Sequence, residues 1–176
     1  MNALEFFLEL RKRGSIEEVK KHHPSLTNAD IDSFFDEIIG NLKDDDCYEM
    51  FVDGASSSNP GKAGIGIVIK KNGVVVDEVS RYIGKATNNV AEYTALLEGL
   101  KRLVELGVKR VRVFSDSELV VKQLKGLYRV KDSGLKPLYE DVLRLTKGFD
   151  LFEIEHITRD KNKQADRLAK SAIPRG

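Results

Sequence analysis

Four carboxylates stand out by where the sequence places them. Asp53 and Asp116 each close a β-branched, apolar run, two residues after Phe51 and Phe114 respectively. Glu92 lies near the start of an amphipathic helical pattern behind Asn88 and Asn89, and Asp166 near the start of another behind Asn162. If the two aspartate-bearing strands are parallel neighbours, their carboxylates meet at the carboxyl ends of the strands, where open α/β sheets hold ligands. One such acid is ordinary strand-end or helix-entry chemistry. Four brought together repel one another and rise in pKa unless a cation sits among them. Oxygen donors without Cys or His suit Mg²⁺ or Mn²⁺ better than zinc. Two such ions about 4 Å apart can activate a water on one side of a phosphodiester and stabilise the leaving oxygen on the other.

The elements that must carry these acids are legible from periodicity. Residues 1–46 predict three short helices, Leu4 to Lys12, Ser15 to Lys21 and Asn28 to Leu42. Gly14 ends the first, Ser15 and Glu18 have capping-box spacing, and Pro24 blocks continuation of the second. Ile31, Phe34, Phe35, Ile38 and Ile39 give the third an apolar stripe. From Tyr48 the pattern changes to strands: Tyr48 to Asp53, Gly64 to Lys71 and Val74 to Tyr82, with a hairpin signal at Lys71-Asn72-Gly73. A helix over Asn88 to Leu106, a strand over Arg110 to Ser115, helices over Ser117 to Leu127 and Leu135 to Lys147, a strand over Leu151 to Thr158 and a helix over Asn162 to Ala172 follow. The order predicts an α/β domain with a mixed five-stranded sheet flanked by helices, preceded by a small three-helix N-terminal domain.

Composition narrows the function classes. The chain has 176 residues, 41% apolar and 32% charged, a globular balance for one domain with an appendage. Its apolar runs fall short of the ~20 residues a membrane span requires, and there is no secretory-signal pattern, so the expectation is a soluble cytoplasmic protein without membrane partners. A single cysteine, Cys47, excludes an internal disulfide and a cysteine-based zinc site. Charge is unevenly spread: residues 1–46 hold 6 basic and 11 acidic residues, a net of −5, and residues 47–176 hold 23 and 17, a net of +6. This suits a polyanion-binding domain, 47–176, with an acidic appendage, 1–46, better placed to meet a protein partner than nucleic acid.

The contexts of the acids carry a resemblance. Asp53-Gly54-Ala55-Ser56 after a strand, Thr87-Asn88-Asn89-Val90-Ala91-Glu92 opening a helix, Ser115-Asp116-Ser117 ending a strand and Asn162-Lys163-Gln164-Ala165-Asp166-Arg167-Leu168-Ala169 opening the last helix resemble, in order, the four motifs of type 1 ribonuclease H. The likeness spans about residues 47 to 173. It implies a ribonuclease H-like fold and metal-dependent endonucleolytic hydrolysis of the RNA strand of RNA–DNA hybrids, with Asp53, Glu92, Asp116 and Asp166 matching the catalytic, metal-binding acids. By the same likeness Gly54, Ser56 and Asn59 approach the RNA, Asn88 and Asn89 contact the minor groove, where short amides can sense a 2′-hydroxyl, and Thr87 meets a DNA phosphate. Residues 1–46 resemble the small trihelical modules of antitoxin-like helix-turn-helix proteins.

Three departures qualify these expectations. Many relatives carry a histidine in a loop before the last acid; here the connection Thr158 to Asn162 has none, and Arg159 is the nearest candidate for its role. His156 falls within a predicted strand. A glutamine often follows the Asp-Ser pair, whereas this chain has Glu118. The segment Tyr128 to Lys136 is too short for the basic protrusion of some members, and there is no tryptophan, which leaves Lys85, Lys122, Lys125, Arg129, Lys131, Arg159, Lys161 and Lys163 to grip substrate. Two alternatives stay open: a ribonuclease that also cuts double-stranded RNA, and a noncatalytic hybrid-binding protein on the same fold.

Overall fold

The computed structural model describes residues 1–45 and 47–174, and their side chains except those of 41–45. By internal contacts the chain forms two compact units, Met1–Asp46 and Cys47–Gly176. Asp46, at the end of the acidic run, lies outside the described residues, as does the side chain of Leu42.

The first unit holds α1 (Ala3–Arg13), α2 (Ile16–His22) and α3 (Asn28–Asp45). Its helices start where side chains satisfy free backbone N–H groups. Asn2 and Glu5 form a reciprocal capping box on α1, and Thr27 and Asp30 form another at the start of α3. At α2 Ser15 Oγ accepts from the Glu18 N–H (3.2 Å), but the Glu18 carboxylate pairs with Lys21 instead of closing the box. Phe6, Val19, Leu26 and Ile31 form the core, joined by Phe7, Leu10, Ile16 and Phe34. The predicted stripe on α3 is thus unevenly used: Ile39 remains exposed, while Phe35, partly exposed, packs edge-on against Phe6 and Phe7.

The second unit is built on a mixed sheet of order β3-β2-β1-β4-β5. Its strands are β1 (Cys47–Ser56), β2 (Gly61–Lys71), β3 (Val74–Ala86), β4 (Arg110–Ser115) and β5 (Leu151–His156). β1, β2 and β3 pair antiparallel, and β1, β4 and β5 parallel. The hairpin falls at Asn72 and Gly73, both with positive φ (52° and 75°), the pair of left-handed residues that a tight two-residue turn requires. The helices are α4 (Asn88–Glu105), α5 (Glu118–Leu124), α6 (Lys136–Thr146) and α7 (Lys163–Ser171), with a 3₁₀ turn at Arg159–Lys161. Several elements differ from expectation. β1 continues through Ser56 and β3 through Ala86, because residues 53–56 find partners on β2 that local composition does not reveal. The helix predicted to Leu127 stops at Leu124, ahead of the left-handed Gly126.

β2 explains why helices sit on both faces. Ile65, Ile67 and Ile69 join Met50, Val52, Tyr93, Leu96 and Leu100 in the main core, on the α4 side. The alternate positions, facing the other way, include Gly64 and Gly66, and a Cβ at either would run into the backbone of α7 at Ala169 or Ala165. α7 answers with its own small residues, the buried Ala165 and Ala169. Helix and strand therefore approach backbone to backbone, which sets the first turn of α7 against the carboxyl end of β1.

Candidate active site

In the parallel β1–β4 ladder the last registered pair is Val52 with Ser115, and the next residue on each strand is an acid, Asp53 and Asp116. One pair earlier the Phe51 and Phe114 rings stack at 4.9 Å, fixing the register behind them. Asp53 does not end its strand as expected: beyond the β1–β4 ladder β1 still pairs with β2, Asp53 opposite Gly66. Glu92 comes from α4, which opens at Asn88 as expected and places Glu92 one turn in from its start. α4 meets β1 at Gly54, where any side chain would collide with the backbone of Ala91 and Glu92. The Gly54 N–H donates to Glu92 Oε2 at 3.2 Å.

These elements bring carboxylate oxygens of Asp53, Glu92 and Asp116 within 4.8 Å of one another. Asp53 and Glu92 are 5% and 6% exposed. Burial, then the charges of Asp116 and Asp166, push Asp53 up to about 7. Burial, with Asp53 and Asp116 beside it, likewise raises Glu92 well above the carboxylate range, against the pull of the Gly54 N–H. Two buried acids and a half-buried third without a cation among them are an unfavourable arrangement that a hard divalent ion relieves, and an all-carboxylate donor set fits Mg²⁺ or Mn²⁺ chemistry.

Asp166 stands apart from this group. Arg159 holds its Oδ1 with two hydrogen bonds, from Nη2 (2.7 Å) and Nε (3.2 Å), and Lys170 Nζ holds Oδ2 at 2.8 Å. Burial would raise Asp166, but the bonds from Lys170 and Arg159 outweigh it and keep the carboxyl below its usual pKa. Of the four acids expected to cluster, the structure brings three together and pairs the fourth with two cations.

A groove opens over the acids, lined among others by Gly54, Ser56, Asn88, Ser117, Arg159 and Lys170. Asn59, Thr87 and Asn89 are not among its lining residues; the first two act within the chain. Asn59 Oδ1 accepts from the Asn88 N–H (3.2 Å), and Thr87 Oγ1 caps α4 by accepting from the Val90 N–H (3.3 Å). Ser56 Oγ is also engaged, with the carbonyls of Ala86 and Ser58. His156 is exposed at the end of β5, in register with Ser115. Among the expected gripping residues Lys122 is occupied, paired with Glu118 (2.6 Å) and placed over the Tyr128 ring. Sequence reasoning missed two site residues. Lys170 was findable as a base four residues after Asp166 on a helix. Asn162, buried and bonded to Asp116, was read only as the opening of α7.

The chain matches the family described as Reverse transcriptase-like over residues 51–172. It is 39% identical over 124 residues to Ribonuclease HI of Halobacterium salinarum, covering 70% of this chain and 62% of that protein. It is 31% identical over 145 residues to Ribonuclease H of Thermoanaerobacter pseudethanolicus, covering 74% of this chain and 92% of that one. A bifunctional protein of Mycobacterium tuberculosis is 42% identical over 123 residues, 69% of this chain but only 34% of the relative's length. Among solved structures, RNase H1 of Halobacterium salinarum superposes with a TM-score of 0.70 at 38% identity, covering 72% of this chain and 96% of that one. LC11-RNase H1, solved in complex with an RNA/DNA hybrid, superposes with a TM-score of 0.68 at 40% identity, covering 72% and 96%.

Proposed function

The chain belongs to the Reverse transcriptase-like family, alongside the ribonucleases H, and from that membership we propose that it is a divalent-metal-dependent endoribonuclease hydrolysing the RNA strand of RNA–DNA hybrids. The observation that carries the reading is the convergence of Asp53, Glu92 and Asp116, from β1, α4 and β4, at the floor of an open groove. A similar protein, LC11-RNase H1, has been solved with an RNA/DNA hybrid, which supports the substrate.

Asp53, Glu92 and Asp116 would hold one Mg²⁺ or Mn²⁺, and Asp166, whose charge already reaches Asp53, would help hold a second. The chemistry such an ion would supply is a lowered pKa for a nearby water and compensation of charge on phosphodiester oxygens. The residues of the chain do the rest. Gly54 orients Glu92 through its N–H. Asn88, exposed in the groove, offers an amide that can both donate to and accept from a 2′-hydroxyl, the group that marks RNA. Arg159 and Lys170, once exchanged from Asp166, present two positive charges to the phosphate backbone at the groove's lip.

The test is cleavage of matched RNA–DNA hybrid, double-stranded RNA, double-stranded DNA and single-stranded RNA, each with Mg²⁺, Mn²⁺ or EDTA, beside Asp116→Asn. Metal-dependent cutting of the hybrid, lost in the variant, is the expected result. Hybrid binding without cutting would turn the assignment to a binding protein, and cutting of double-stranded RNA would widen the substrate.

A further inference from the structure

Asn162 occupies the N-cap position of α7, where an asparagine side chain ordinarily accepts a hydrogen bond from the backbone of the first turn. Here it makes no such bond. The side chain turns inward, in a residue only 1% exposed, and its Nδ2 donates to the Val52 carbonyl and to Asp116 Oδ1, both at 2.9 Å. Val52 immediately precedes Asp53, and Val52 with Ser115 is the last rung of the β1–β4 ladder. One amide thus sits just past the end of the ladder, joined to the main chain beside one acid and to the carboxylate of another. Its orientation is fixed by its partners: a flipped amide would set Oδ1 against a carbonyl and a carboxylate, two contacts between acceptors. Oδ1 itself has no hydrogen-bond partner, so the position gives up both a cap and an acceptor to keep its two donors.

We propose that Asn162 is a positioning residue of the metal site, holding Asp116 by one oxygen so that the other faces the ion shared with Asp53 and Glu92. The need follows from carboxylate chemistry. An aspartate rotates over a broad, roughly two-fold well about its last torsion. Without a fixed donor the Asp116 carboxylate is free to turn away from the shared ion. Hydrogen bonds of this kind orient ligands in metal sites, and their loss typically lowers metal affinity or activity by about 10- to 100-fold. The inference rests on the reading of Asp116 as a metal ligand and adds to it the element that aims it.

The experiment titrates Mn²⁺ calorimetrically into the full chain without nucleic acid and, separately, measures hybrid cleavage. Wild type is compared with Asn162→Ala and with Asn162→Leu, which keeps the volume but removes the donors. The expected result is Mn²⁺ binding weakened about tenfold or more in both variants, with kcat lowered by a similar factor and KM for the hybrid within about twofold. A merely structural role predicts a Leu variant with wild-type Mn²⁺ affinity and kcat, and that result overturns the proposal, as does a wild type that binds no Mn²⁺. Should neither variant fold, Asn162→Gly, which removes the donor but is well tolerated at an N-cap, takes their place, and an unchanged Mn²⁺ affinity there is equally fatal. A wild type that binds Mn²⁺ but cuts no hybrid sinks the nuclease reading while leaving the Mn²⁺ comparison to decide the role of Asn162.

Discussion

Replacing Asp53 by Asn should stabilise the metal-free protein, and do so mainly at alkaline pH. Burial, and then the negative charge of its neighbours, push Asp53 from an ordinary 3.8 up to about 7 in the folded chain. Between these values the folded state holds a proton that the unfolded chain has released. The stability of the protonated form, fully present below pH 3.8, is therefore lost as pH rises and is gone once pH passes about 7. At about 1.4 kcal/mol per pH unit the loss amounts to about 4 kcal/mol for this one carboxyl, with Glu92 acting in the same direction. The nearly isosteric amide carries no charge to desolvate, so its advantage is about 4 kcal/mol at pH 8 and about 1 kcal/mol at pH 4.5. All five tyrosines lie beyond residue 47, so tyrosine fluorescence during urea unfolding follows the second unit alone. The assay is the unfolding free energy of wild type and variant in EDTA at the two pH values. An equal difference at both, or a variant less stable at pH 8, would refute the account of the acids as a repelling, cation-seeking group. Excess Mg²⁺ at pH 8 should narrow the gap by stabilising the wild type alone.

Three further outcomes follow from the same geometry. Mn²⁺ affinity, measured by calorimetry, should fall as pH drops below about 7, because the ion must displace the proton that Asp53 and Glu92 then hold. Lys170→Gln frees one oxygen of Asp166 from a pair that is half exposed on the lysine side. Such a pair is worth no more than about 1 kcal/mol, so Mn²⁺ affinity should rise by up to about fivefold, visible as a lower half-saturating concentration. Gly54→Ala forces a methyl into the backbone of α4 beside Glu92. It should cost roughly 1–3 kcal/mol in urea unfolding and abolish hybrid cleavage, whereas Gly73→Ala, in the distant hairpin, should leave cleavage intact.

The architecture was legible because its signals are local. The alternating valines of β4, the asparagine-glycine turn after β2 and the amphipathic run of α4 each announce their element without reference to the rest of the chain. The three converging acids were legible too, since two stand at the end of a common ladder and the third on the helix packed against it. What escaped was relational. Gly54, Ala55 and Ser56 have the composition of a loop and become strand only through β2. Asp166 belongs to the motif but is drawn to Arg159 and Lys170, a balance of charges that spacing along the chain does not decide. Asn162 bonds to a carbonyl 110 residues away, a distance over which periodicity carries no information.

The close contact of α7 with the glycines of β2 has a thermodynamic consequence. A helix docked through alanines onto glycines withdraws little apolar area from water, so its attachment is weaker than that of α4, which buries Tyr93, Leu96 and Leu100. Its outer side is tied to β3 by polar contacts, Ser80 with the Leu168 carbonyl (2.8 Å) and Gln164 with Glu78 (2.6 Å). Local opening of α7 would then precede global unfolding and carry off Asp166 and Asn162 together, while Asp53, Glu92 and Asp116 stay with the sheet and α4. The groove has a durable floor and a detachable wall, and slow-exchanging amides should mark the first, fast-exchanging amides the second.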